Sequence, residues 1–77
     1  FGAAIDASVE IFNLGANYWM KVYNDLMKEN VLSYGDCSFI KGIADYIAKQ
    51  NLPSASQCKR LVKIVNKAED KGYIMPN

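Results

Sequence analysis

Ser54 to Gly72, S-A-S-Q-C-K-R-L-V-K-I-V-N-K-A-E-D-K-G, reads as one helix with both of its ends written into the sequence. Ser54 can accept the backbone N–H of Gln57 while the Gln57 side chain reaches back to the Ser54 N–H, a capping box. Pro53 disfavours helix immediately upstream, and Gly72 supplies a left-handed stop. At about 100° per residue, Cys58, Leu61, Val62, Val65 and Ala68 share one arc of about 120°, while Lys59, Arg60, Lys63, Lys67 and Lys71 share a second arc of similar width. One face is suited to packing and the other is basic. The basic face is the one feature of the chain that points to a partner.

Upstream, Tyr34 or Asp36 to Gln50 predicts another helix, with Cys37, Ile40, Ile43, Ala44 and Ile47 on one face and Phe39 and Tyr46 on its borders. Ser33 with Asp36 resembles a second capping arrangement. Gly42 weakens this helix by about 1 kcal/mol relative to Ala, and a close approach by a neighbouring helix would account for it. Asn51 to Pro53 forms the turn, with Leu52 expected beneath it. Further upstream, Trp19, Val22, Tyr23, Leu26 and Met27 recur at helical spacing from Tyr18 to about Glu29, with Asn17 as the cap and Lys28 able to pair with Asp25 or Asn24. Val31 and Leu32 are expected to tuck into the core.

Residues 3–13 carry Ala4, Ile5, Ala7, Val9, Ile11 and Phe12, a less regular pattern ended by Gly15. They read as a short helix or as an extended connector. Beyond the last helix, Tyr73 and Ile74 are expected to fold back as the apolar contact of the helix stop. Short loops join all these elements, so the sequence predicts an all-α fold, a small up-and-down bundle of three to four helices. Residues 17–77 would form its core.

The chain of 77 residues is 51% hydrophobic and 22% charged, the composition of one small globular domain and not of a disordered tail. At this size a core leaves only about 3–5 kcal/mol of net stability. The start at Phe1 suggests a piece of a longer protein, with no leader peptide or membrane span recognisable, and a soluble, cytoplasmic domain is expected. The net charge of +1 hides a split. Residues 1–36 hold five acids and two lysines, and residues 37–77 hold seven basic residues and three acids, so the net runs from −3 to +4. Such asymmetry can steer an anionic partner.

Cys37 and Cys58 each fall in the first turn of a helix. In an antiparallel hairpin those starts lie about 20 Å apart, for about 14 residues at ~1.5 Å each, whereas a disulfide needs Cα atoms within about 7 Å. Both are therefore read as reduced, buried, small apolar residues.

Most catalytic chemistry is missing from the sequence. It has no histidine, no phosphate-binding or dinucleotide glycine motif, and no zinc-spaced cysteine cluster, so neither a metal nor a cofactor is expected. The carboxylate pairs Asp6 with Glu10 and Asp25 with Glu29 read as solvated helix faces rather than cation ligands. Cys37, at a helix start, could have a lowered pKa, but without a histidine base it reads as structural. Tyr18, Trp19, Tyr23, Phe39 and Tyr46 could stack on bases, although their spacing assigns most of them to the core. For the basic face, an ordinary lysine-rich outer surface, partly offset by Asp70, stands beside phosphate contact without base specificity.

Y-W-M-K-V-Y-N-D-L-M-K-E-N followed by I-A-D-Y-I-A-K-Q-N-L-P-S-A-S-Q-C-K-R-L-V-K-I-V-N-K-A-E-D-K-G-Y-I resembles small helical domains at the ends of bacterial and phage nucleic-acid proteins. One group is the tail of abortive-infection phage-resistance (AIPR) proteins and related helicases, where a Trp-bearing helix precedes a P-S-x-x-Q helix ending in K-A-x-x-x-G-[YF]. The other is the helical appendage of phage recombination helicases, similar in turn to the HRDC module of RecQ helicases. Trp19, Pro53, Ser54, Gln57, Lys67, Ala68, Gly72 and Tyr73 carry the resemblance, which covers about residues 18–74. It implies an accessory domain of a larger DNA-directed or phage-defence protein, with any ATPase or nuclease activity elsewhere. The expected partners are nucleic acid, through Lys59, Arg60, Lys63, Lys67 and Lys71, and other domains of the parent chain. The alternative is a protein-protein or intramolecular docking module with an apolar surface near Trp19, Tyr23 and Tyr73.

Overall fold

The computed structural model describes residues 4–76, with side chains from Ala7 onward, so the expectations for Phe1, Ala4, Ile5 and Asp6 lie outside the described side chains. Four helices follow in order: α1 (Ala4–Leu14), α2 (Ala16–Lys28), α3 (Tyr34–Ala48) and α4 (Ala55–Asp70). Among the described residues there is no strand, and the helices gather around one core as a small all-α bundle. Its extents are 28 × 24 × 23 Å. α2 packs along most of α3, and α1 packs chiefly on α4, so the first and last helices close the core together. α1 is thus a helix and not a connector, and its Ala7 and Ile11 are fully buried.

The starts of α3 and α4 share one design. At α3, Ser33 is the N-cap and its Oγ accepts from the Asp36 N–H at 3.3 Å. At α4 the capping box is complete: Gln57 N–H donates to Ser54 Oγ at 3.2 Å and Ser54 N–H donates to Gln57 Oε1 at 2.8 Å. In both cases the residue before the cap is buried, Leu32 or Pro53, and so is the cysteine four residues past the cap, Cys37 or Cys58. These are the two positions of a hydrophobic staple, which fixes the angle at which the chain enters the helix. The cysteines are therefore small apolar members of two staples. Both thiols are free, and Cys58 Sγ lies 4.0 Å from the Pro53 carbonyl and 3.5 Å from Ser8 Oγ of α1.

The helix stops also repeat. Asn30 (φ 56), Gln50 (φ 66) and Gly72 (φ 98) each adopt the left-handed conformation. Each lets the next residue donate its N–H to the carbonyl five residues back: Val31 to Leu26, Asn51 to Tyr46, Tyr73 to Ala68. These are Schellman motifs, and only the third was legible from a glycine.

Several expectations need correction. Asn17 does not cap α2; Gly15 does, with φ 89 and ψ 158, and helix resumes at once with Ala16. Lys28 does not pair with Asp25, whose carboxylate meets Lys21 at 3.5 Å and the Tyr73 hydroxyl at 3.0 Å. Gly42 lies on the exposed outer side of α3, and a Cβ there would meet nothing within 4 Å, so no close helix approach explains it. Leu52 is 52% exposed, because the staple turns Pro53 inward instead. Tyr73 folds back as expected, but Ile74 is 85% exposed and Met75 packs against the core in its place.

Candidate nucleic-acid interface

α4 presents its basic side to solvent because the opposite side is sealed. Cys58, Leu61, Ile64, Val65 and Ala68 are buried, whereas Val62 is only half-buried. The packing arc is thus rotated toward Ile64 relative to the arc read from the sequence. The shift matters for the basic residues, since it brings one flank of their stripe against α3 and the loop before it.

Lys59, Arg60, Lys63, Lys67 and Lys71 are all exposed, but they do not form one uniform surface. Lys67 Nζ reaches Asp36 Oδ2 at 2.9 Å, an ion pair contributing up to about 1 kcal/mol at this exposure. Lys71 Nζ donates to the Val31 carbonyl at 3.2 Å, which ties the end of α4 to the α2–α3 loop. The Arg60 guanidinium carbon lies over the Phe39 ring, 4.4 Å from its centroid. Lys59 and Lys63 have no partner among the described residues, and stand one helical turn apart. Free positive charge is thus concentrated on the N-terminal half of α4.

The other candidate groups have structural roles. Trp19 is fully buried, and its indole N–H donates to the Ile11 carbonyl at 2.9 Å, so it lines no groove. Lys41 Nζ covers the Tyr23 ring at 5.9 Å from the centroid. Tyr18 packs edge-on against Trp19, with centroids 5.1 Å apart. Burial raises the Tyr18 phenol above its ordinary pKa, with Glu69 adding to the shift. Burial also raises the Cys37 thiol, with Asp36 second, so the thiol is held protonated and is no activated nucleophile. Among the described residues no group of His, Cys, Asp and Glu could hold a metal ion, and no helix is long and apolar enough to cross a membrane.

Sequence spacing does not pair Phe39 with Arg60, because the two lie on different helices and a helical pattern does not say which residues of a neighbouring helix meet. Tyr34, which the sequence marks only as a possible start of the helix, does begin α3 and is 72% exposed there. Comparison with protein-family models, curated proteins and solved structures gives no match to this chain.

Proposed function

We propose that the chain is a non-catalytic accessory module that contacts nucleic acid weakly through the exposed side of α4, with Lys59 and Lys63 as the principal phosphate ligands and Arg60 beside them. The observation that carries this reading is the unpartnered pair Lys59 and Lys63 on one rigid helix face, in a chain half whose net charge is +4. Lys67 and Lys71 contribute less, because each must give up an internal partner to bind a phosphate. In this reading the domain serves a larger DNA-directed protein of the helicase or phage-defence kind that the resemblance implies.

Titration of the labelled protein with single-stranded and duplex DNA at two salt concentrations tests it. Amide signals along α4 should shift, with Kd in the range of about 10⁻⁴ to 10⁻⁶ M typical of non-specific contact and a steep loss with salt. No binding at low salt would overturn the reading. A docking module would then be favoured by Met27, Tyr34 and Ile74, exposed apolar residues at the end of the bundle where α2 stops, α3 starts and α4 finishes.

A further inference from the structure

We propose that the nucleic acid taken by this face is single-stranded, because the structure sets a stacking surface for unpaired bases beside the free lysines. This rests on the phosphate-contact reading of α4 and adds to it a second kind of contact. Gly35, Phe39, Gly42 and Tyr46 fall at i, i+4, i+7 and i+11 and so share one side of α3. Phe39 is half-buried and carries the Arg60 guanidinium 4.4 Å above its ring, while Tyr46 is 38% exposed. No side chain stands between the two rings at Gly42, where a Cβ would meet nothing within 4 Å. The two aromatic positions are seven residues apart, about 10 Å along the helix axis.

Arg60 has no carboxylate partner among the described residues and is exposed, so its planar group, seated on Phe39, can take a base against its free side. Guanidinium planes and aromatic rings both stack on bases, and every base offers a π face, so the surface would be tolerant of sequence. A base within a duplex is already stacked on both sides and cannot use such a platform. Lys59 and Lys63, next to Arg60 on α4, supply the charge complementary to the backbone of the same strand. The Arg60–Phe39 contact also holds the guanidinium in place before binding, which reduces the ordering cost of using it.

The test compares oligothymidine, an abasic deoxyribose-phosphate chain of equal length and a duplex, each labelled and titrated with the full chain at low salt. Oligothymidine should bind about tenfold or more tightly than the abasic chain, the range expected for stacking of even one base. Tyr46→Ala should bring oligothymidine toward the abasic chain, and Arg60→Lys, which keeps the charge and removes the plane, should narrow the same gap. Both substituted residues are exposed, and a thermal melt verifies that each variant is folded. Equal affinity of the wild-type chain for oligothymidine and the abasic chain overturns the stacking surface while leaving phosphate contact standing. Failure of the wild-type chain to bind any of the three overturns the phosphate contact itself. Tighter binding of the duplex than of oligothymidine also overturns the proposal.

Discussion

The Trp19 indole N–H donates to the Ile11 carbonyl at 2.9 Å, so a side chain of α2 closes the C-terminal end of α1. Two requirements are met by this one bond. The last carbonyls of a helix lack intrahelical partners, and here the Gly15 N–H turns to Phe12 instead of Ile11. A buried indole, in turn, needs an acceptor for its N–H. Trp19→Ala should cost about 3–5 kcal/mol, enough to unfold most of the population of a domain this size. Trp19→Phe retains much of the volume but leaves the Ile11 carbonyl buried and unpaired, an added cost of about 1–3 kcal/mol beyond the lost packing. Urea melts followed by far-UV circular dichroism check both. Unchanged midpoints would remove Trp19 from the centre of the fold.

Two glycines in opposite settings should respond with opposite sign. Gly15 combines φ 89 with an extended ψ of 158, a region open essentially to glycine alone, so Gly15→Ala should destabilise by about 1–3 kcal/mol. It also favours fusing α1 and α2 into one continuous helix. Gly42 has ordinary helical backbone and open space around it, so Gly42→Ala should stabilise by about 1 kcal/mol. Thermal melts of the two variants beside the wild type decide the matter, and a destabilised Gly42→Ala would point to an unseen contact on that side of α3.

The Ser54 capping box satisfies two backbone donors at once. Ser54→Ala should therefore cost about 1 kcal/mol, while Ser54→Asp should retain most of the stability. The effect should appear in the melting midpoint and leave the affinity for DNA near that of the wild type. Loss of binding with intact stability would assign Ser54 to the ligand face instead.

The Tyr73 hydroxyl donates to Asp25 Oδ2 at 3.0 Å and fastens the chain beyond α4 onto α2. Burial first, and then the hydrogen bond to Asp25, pushes the Tyr73 phenol well above its ordinary value. The folded state thus holds the phenolic proton more tightly than the unfolded state does. The stability it contributes is full below about pH 10 and is lost as pH rises beyond that point. Melting temperatures measured upward from neutral pH should hold nearly level and then fall. Tyr73→Phe should start lower and fall less steeply in the alkaline range, and parallel curves for the two proteins would exclude the linkage.

Lys63 and Lys67 look equivalent in the sequence but should behave differently. Lys63→Glu should weaken DNA binding and reduce the magnitude of the log–log salt slope by about 0.7 to 0.9 or more, with the melting midpoint nearly unmoved. Lys67→Ala should lower stability by up to about 1 kcal/mol through loss of the Asp36 pair, and change the salt slope less. Fluorescence anisotropy across a salt series, with parallel melts, separates the two. Identical salt slopes for both variants would mean that the Asp36 pair opens freely on binding.

Local chemistry was legible wherever a signal and its partner lie within one helical turn of each other. The Ser54 with Gln57 box, the Ser33 cap, the stop at Gly72, the buried face of α3 and the Trp19, Val22 and Leu26 face of α2 depend on spacing within a single helix, so the sequence determined them, whereas Met27, expected on that same face, is 39% exposed near the end of α2. Even there, limits show: the αL stops at Asn30 and Gln50 carry no glycine, and Ile64 was omitted from the packing face because a one-dimensional arc does not say where the neighbouring helix lies. What only the tertiary structure decided are the pairings between distant residues. Trp19 with Ile11, Tyr73 with Asp25, Lys67 with Asp36 and Arg60 with Phe39 depend on which helices the core brings together, and side-chain reach across helices leaves no periodic trace in the chain. Five basic residues on one arc of α4 were therefore visible from the sequence, whereas the division into lysines bound internally and lysines left for a ligand came from how α3 packs against that helix.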